Sequence, residues 1–250
     1  MGVFKPQNAE KNKEFYQRLA EGRCNDYIWG KDKRFDPVRL ASSPSIDKFF
    51  TSKVAPYISK RHQVLDLGCG SGVFLPILAP MCQRLFGIDI SYHMLETSVK
   101  VIDRFSLDNV TLLNASAEAM PFPENEFDIV VLVDAIHHIP QLTKTLTELK
   151  RVLKPGGQAL VFEPNKLNPL LSLLCLLDRN EWGALRLGSK KRYLEVFKAH
   201  FTIDVLEYNG LLIGPDTAIN RKIVDLLASA KLRNILGWQC PKIFIVMTVK

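Results

Sequence analysis

The sequence has little that would staple, anchor or export it. Its five cysteines, Cys24, Cys69, Cys82, Cys175 and Cys240, are odd in number and widely spaced. No C-x-x-C pair occurs among them, so neither a disulfide framework nor a zinc site is expected, and no metal ligand set is read from the sequence. The opening residues, MGVFKPQNAEKNKEF, lack the apolar core of a signal peptide. Gly2 follows Met1, but Pro6 stands where a myristoylation pattern needs Ser or Thr. The longest apolar stretch, residues 167–177, is interrupted by Asn168, Pro169 and Ser172. It reaches about half the length that a membrane-crossing helix needs. Internal repeats, low-complexity tracts and long charge runs are also missing. A cytoplasmic location is expected, with peripheral contact to an anionic membrane as the one membrane association left open.

What is present suits an ordinary globular domain: 250 residues, 47% hydrophobic and 24% charged, enough for one sizeable core and a small appended cap. The net charge is +7, and Lys190, Lys191 and Arg192 form its tightest cluster. Such an excess suits nucleic acid, an anionic membrane, an acidic small substrate, or only a solvated basic surface.

Residues 1–50 are rich in charge and aromatics, with a helix expected over 8–21 and another starting after Ser45 that carries Ile46, Phe49 and Phe50 on one face. This segment reads as an N-terminal helical cap, and 51–250 as the main domain. From residue 63 strands and helices alternate. Strands are expected at 63–67, 84–88, 110–114, 127–133 and 158–163. Helices are expected at 73–81, at 92–104 behind a Ser91 cap, and at 142–153, where Pro155-Gly156-Gly157 would stop the last. FDIVVLV at 127–133 is the unbroken apolar run of a strand buried on both faces. The pattern predicts an α/β, Rossmann-like parallel sheet with helices on both faces. Two late strands, 201–208 and 242–249, flank a helix over 218–236 and suit an antiparallel edge.

Ligands of such sheets bind beyond the carboxyl ends of the strands. VLDLGCGSG occupies that place after the first strand. Its glycines allow positive φ and close backbone approach. The spacing of Gly68, Gly70 and Gly72 is G-x-G-x-G, with no third glycine of the dinucleotide fingerprint and no lysine of a P-loop. Asp66 would repel a pyrophosphate but suits a cationic group. Asp89, ending the second strand in GIDIS, can accept from both ribose hydroxyls. Together these features favour a nucleoside with a positively charged tail.

VLDLGCGSG, GIDIS, SAEAMPFPENEFDIVVLVDAIHHI and LKRVLKPGG, in this order over residues 60–165, resemble the successive motifs of class I S-adenosylmethionine-dependent methyltransferases. The resemblance is to the small-molecule branch, which includes the ubiquinone and menaquinone biosynthesis methyltransferases. It implies a seven-stranded sheet whose final strand is antiparallel and lies beside the fifth or sixth. It places Asp66 and Gly68 near the methionine amino group of S-adenosylmethionine, with Cys69 and Gly70 in the loop that lines it. Asp89 would hold the ribose and Ile90 pack on the adenine. Ser116 stands where family members commonly have an aspartate that accepts from the adenine amino group, so this contact should be weaker. Ala117 would offer its backbone N–H to the ring, and Asp134 would face the methionine part and the transfer site.

Methyl transfer from a sulfonium needs proximity, orientation and a base where the acceptor carries a proton. His137 and His138 follow the fourth strand, and either could be that base, His138 the better candidate and His137 the likelier packing residue on the family pattern. Asn165 ends the fifth strand on the same rim as a candidate substrate contact. Residues 167–177 read as a buried helix covering the sheet. The sharper alternative makes 165–200 a lid over an apolar acceptor or a patch resting on membrane, since Trp182, Arg186 and the basic cluster follow. In this family the N-terminal segment closes the other side, so Tyr16, Tyr27 and Trp29 are candidates for substrate or cofactor contact, or for the core of the cap.

The function expected is methyl transfer, at oxygen, to a small-molecule or lipid-linked acceptor. The alternative is a catalytically silent methyltransferase-like subunit, although its usual signs, a broken loop or a lost ribose acid, are missing. Nucleic acid is not expected as a partner. The fourth strand is followed by Asp134-Ala135-Ile136-His137 rather than the base-stacking motif of amino-methylating DNA enzymes, and the Pro-Cys nucleophile of cytosine C5 enzymes is not found there. No obligate protein partner is expected either.

Overall fold

The computed structural model describes residues 43–177, 179–211 and 237–250, with residues 13, 14, 17, 222 and 226 described singly. Most of the expected N-terminal cap, with Tyr16, Tyr27 and Trp29, and most of the expected helix at 218–236 lie outside the described residues.

Seven strands form one sheet: β1 (Gln63–Leu67), β2 (Arg84–Asp89), β3 (Val110–Asn114), β4 (Phe127–Val133), β5 (Leu153–Pro164), β6 (Phe201–Asn209) and β7 (Lys242–Val249). Their spatial order is β3-β2-β1-β4-β5-β7-β6. The five from β3 to β5 are parallel. β7 runs antiparallel to both neighbours, so the reversed strand is inserted between β5 and β6 rather than forming the edge. Strand order reverses between β1 and β4, which opens a crevice at their carboxyl ends.

The run FDIVVLV is apolar throughout because β4 is buried on both faces. Ile129, Val131 and Val133 join one core, and Val130 and Leu132 the other. On the first face lies α1, a helical run through Pro44–Ile46, a wide π turn at Asp47–Thr51, and Ser52–Val54. It buries Ile46, Phe49 and Phe50, as its spacing predicts. Phe50 packs on Phe74 and Phe162 with ring centres 4.2 and 5.1 Å away, and Phe162 meets Phe244 at 4.5 Å. These rings tie α1, the segment after β1, β5 and β7 into one aromatic stack.

The glycine loop leads into α2 (Leu75–Leu78) and a 3-10 turn at Ala79–Met81. α3 (Tyr92–Phe105) starts as expected, with the Ser91 hydroxyl accepting from the Met94 N–H, and ends at Ser106 in the left-handed region. α4 (Leu142–Val152) puts Leu146, Leu149 and Val152 into the second core. Beyond β5 come α5 (Pro169–Leu177), α6 (Trp182–Leu187) and α7 (Lys190–Phe197).

Two expectations are overturned. Pro155-Gly156-Gly157 does not separate helix from strand: α4 ends at Val152, and β5 already begins at Leu153, which pairs with Phe127. The register shifts between Phe127 and Ile129, and the irregularity absorbs the Pro-Gly-Gly with Gly156 at φ 73°. Nor is 167–177 a buried cover. α5 packs mainly on α6 and the turn before it, which leaves Leu170, Leu173, Leu176 and Leu177 more than half exposed. A helix apolar on nearly every side, whose main neighbours among the described residues lie on one, shows apolar surface on the other. Among the described residues no helix is long and apolar enough to cross a membrane.

Truncating the centre of the aromatic stack, Phe162→Ala, is expected to destabilise the protein by roughly 3–5 kcal/mol, measured by urea unfolding. A loss below about 1 kcal/mol would show that the stack contributes little to the fold.

Candidate active site

β1 delivers the glycine loop to the crevice. The Gly68 and Cys69 N–H groups both donate to the Ile88 carbonyl, at 2.8 and 3.0 Å, so the chain turns over the end of β2. Gly68 sits at φ 78°, and a Cβ there would come 2.9 Å from that of Ala135. Only glycine lets this loop meet the turn after β4. Gly70, at φ 53°, faces open space. Its carbonyl accepts from the Ser98 hydroxyl (2.8 Å) and its N–H donates to Asp89 Oδ2 (2.9 Å). Asp89 Oδ1 accepts from the Ser91 N–H at 2.8 Å. Asp89 therefore shapes the loop, and each oxygen retains acceptor capacity for a hydroxyl.

Asp66 differs. It is 1% exposed, and its Oδ2 is buried without a hydrogen-bond partner. Burial first, and then the charge of Asp89, push its pKa up to about 7. An orphaned carboxylate oxygen in a protein interior is costly and marks a place where a donor or cation belongs.

At the ends of β2 and β3, Asn114 Nδ2 donates to the carbonyls of Asp89 and Ile90 at 2.9 and 3.0 Å, fixing the carbonyl orientation beside the Ile90 side chain. Ser116 Oγ accepts from the Glu118 N–H at 3.1 Å, and the Ser116 backbone carbonyl accepts from the Ala119 N–H at 3.2 Å in a small bridge, with Ala117 half-buried between them. Asp134 is held at φ 52° and ion-paired to Lys242 at the start of β7. Burial raises the pKa of its carboxylate, against the opposing charge of Lys242.

The turn Ile136–His138 hangs from Glu163. This fully buried carboxylate accepts from the N–H groups of Ala135 and Ile136 (2.9 and 2.8 Å), and its Oε2 lies 2.6 Å from His137 Nδ1. The Tyr193 hydroxyl donates to the same oxygen at 3.5 Å. His137 Nε2 is 3.4 Å from Glu181 Oε2. Burial alone would lower the His137 pKa, but the charge and hydrogen bond of Glu163, with Glu181, carry it up to about 10. His138, whose ring lies tilted beside it with centres 3.9 Å apart, goes the other way. Burial and then the His137 charge push it down to about 4. The adjacent histidines thus divide into a fixed cation and a neutral imidazole.

Residues 65–161 match the family described as a methyltransferase domain. Over that stretch the chain is similar to methyltransferase domains. A demethylmenaquinone methyltransferase of Listeria welshimeri is 32% identical over 114 residues, 44% of this chain and 48% of that protein. The ubiquinone/menaquinone biosynthesis C-methyltransferase UbiE of Allorhizobium ampelinum is 30% identical over 173 residues, 65% of each. The chain thus spans between about half and two thirds of the length of these curated relatives. A solved methyltransferase of Aquifex aeolicus that is S-adenosylmethionine-dependent shares the fold, with a TM-score of 0.60 and 20% identity over 86% of this chain and all of that one.

The residues of the crevice fit S-adenosylmethionine, on which the solved Aquifex aeolicus methyltransferase depends. The unpartnered Asp66 oxygen can accept from a cationic amino group, the open space at Gly70 leaves room for a ligand, and Asp89 can take ribose hydroxyls. Not every candidate reaches the crevice. Asn165, expected as a substrate contact, is fully buried. Its Nδ2 donates to the carbonyls of Trp238 and Cys240 at 2.7 and 2.8 Å, and its Oδ1 accepts from the Leu167 N–H. That amide ties the end of β5 to the approach to β7. Conversely, sequence reasoning missed Glu181, Lys242, Tyr193 and the anchoring role of Glu163. Only the identity of Glu163 as a strand-end acid hinted at any of them.

Because its folded pKa lies above the ordinary 3.8, Asp66 favours the cofactor-free fold when protonated. The stability it contributes is complete below pH about 4 and is lost as pH rises through about 7. An ionised Asp66 would accept from a cationic amino group more strongly than a protonated one, so affinity for S-adenosylmethionine is expected to rise through the same window, with proton release measurable by calorimetry in buffers of different ionisation enthalpy. Asp66→Asn should weaken binding at least about tenfold, the worth of a hydrogen bond to a charged group, while stabilising the free protein at alkaline pH. Unchanged affinity in this variant would exclude Asp66 as a ligand.

Proposed function

We propose that the protein transfers the methyl group of S-adenosylmethionine to a hydroxyl oxygen on a small, lipid-linked ring acceptor of the quinol kind. The observation that carries this reading is the placing of His138, beside Glu181, on the turn that packs against the glycine loop and its unpartnered Asp66 oxygen. When bound, S-adenosylmethionine supplies a methyl group already activated on a sulfonium. Asp66 and the loop hold its amino acid end, and Asp89 orients the ribose. The unprotonated ring nitrogen of His138 takes the hydroxyl proton of the acceptor, and Glu181 Oε1, 4.0 Å from Nε2, steadies the resulting imidazolium. His137 stays protonated and orients the turn.

The acceptor class rests on α5 and its surroundings. Leu167, Leu170, Leu173, Leu176, Leu177 and Trp182 present apolar surface beside the rim. Exposed Lys166, Arg179, Arg186 and Lys191 flank them. An apolar strip edged by cations suits a prenyl-type tail and an anionic membrane surface. The names of the relatives above point the same way, although the UbiE name specifies methylation at carbon.

The test is incubation of the protein with 13C-methyl-labelled S-adenosylmethionine and a lipid extract, followed by carbon NMR of the organic phase. An O-methyl resonance on a lipid-phase product is expected, and His138→Ala should lower the rate by about two orders of magnitude or more. A C-methyl resonance would overturn the oxygen assignment, and label confined to the aqueous phase would overturn the acceptor class.

A further inference from the structure

Two turns from distant parts of the chain bring three ligand-bearing side chains together beside the donor loop. His137 and His138 come from the turn after β4, and Glu181 from the 3-10 turn Arg179–Glu181 between α5 and α6. One nitrogen or oxygen from each lies within 4.8 Å of the others. His137 Nε2 is buried and makes no hydrogen bond. Glu181 Oε2 stands 3.4 Å from it, and Glu181 Oε1 stands 4.0 Å from His138 Nε2. Ligands around a tetrahedral zinc ion are separated by about 3.3 Å, given bond lengths near 2.0–2.1 Å. The cluster is therefore slightly expanded relative to an occupied site.

The opposite edge of the His137 ring supplies the second indication. Nδ1 faces the Glu163 carboxylate at 2.6 Å, and Glu163 is itself fixed by backbone N–H groups. A carboxylate that fixes one imidazole nitrogen so that the other points at a cation is the usual brace of a metal-binding histidine. Docking of the Glu181 turn is also tight, since a Cβ on Gly183 would overlap the His137 carbonyl oxygen. The charge balance suits a dication: Glu163 and Glu181 bring two carboxylates, and the nearby Lys242 is paired with Asp134.

We propose that His137, His138 and Glu181 form a binding site for a divalent transition metal of the zinc type. Two imidazoles and one carboxylate are a donor set for such metals. The metal takes the place of the Nε2 proton of His137, which passes to solvent, while Nδ1–H continues to donate to Glu163. Occupation draws the α5–α6 connection onto the turn after β4. It also engages the lone pair of His138, so metal binding and proton acceptance by His138 exclude each other. The site stands independently of the acceptor proposed above, because it is read by metal binding alone.

The experiment uses the full chain, stripped with a chelator and titrated with Zn2+ by calorimetry and with Co2+ by visible absorption. One Zn2+ per chain is expected, with Co2+ giving the intense ligand-field bands of a low-coordinate site and no thiolate charge-transfer absorption. Glu181→Gln and His138→Ala should each lower Zn2+ affinity at least tenfold while S-adenosylmethionine binding reports that the variants are folded. Should His138→Ala fail to fold, Glu181→Gln, on an outer turn, decides the matter. No binding by the parent chain, affinity unchanged in Glu181→Gln, or thiolate absorption from the buried cysteines would overturn the proposal. Loss of cofactor binding by the parent chain would instead overturn the methyltransferase reading.

Discussion

Glu163 is the anion around which the crevice is assembled. Burial would raise its pKa, but the His137 charge and hydrogen bond, with backbone N–H donors, outweigh that and hold it low. The ionised carboxylate accepts from the first N–H groups of the turn after β4, whose donors point at it as at any helix start. Removing one partner from such a buried charged pair typically costs about 3–5 kcal/mol, because the other is left uncompensated. The position of His137, and through it of His138 and Glu181, follows from this one side chain at the end of β5.

The same rim holds charges of opposite character. Asp134 is neutralised within the protein by Lys242, and Glu163 by His137. Asp66 has no such partner within the fold. A fold that pairs the acids Asp134 and Glu163 internally and leaves an Asp66 oxygen orphaned beside the glycine loop has an unsatisfied acceptor where a cationic ligand would fit. The two histidines are driven apart in the same way: two carboxylates raise the pKa of His137, while burial first, and then the His137 charge, lower that of His138.

Local features were legible in the sequence and long-range ones were not. The loop Gly68–Gly72, Asp89 at its strand end, the Ser91 cap and the doubly buried β4 depend on neighbours a few residues away or on periodicity, and the structure has them where the pattern put them. The start of β5 was misplaced because Pro-Gly-Gly is ordinarily a stop, and only pairing with Phe127 shows that the strand runs through it. The exposure of α5 could not be read because an apolar helix looks the same whether covered or bare. Lys242 reaches Asp134 across 108 residues of chain, and no spacing rule joins them. Asn165 shows the reverse error: a polar residue on the right rim whose side chain turns inward to carbonyls.

The Asp66–Asp89 crevice is proposed to bind S-adenosylmethionine. Calorimetric titration of the full chain with S-adenosylmethionine, beside Asp89→Ala, tests it most directly. One molecule bound per chain is expected, with affinity at least about tenfold weaker in the variant, which loses the ribose acceptor and the Gly70 anchor together. A folded parent chain that binds no S-adenosylmethionine, or a variant that binds it equally well, would contradict the claim.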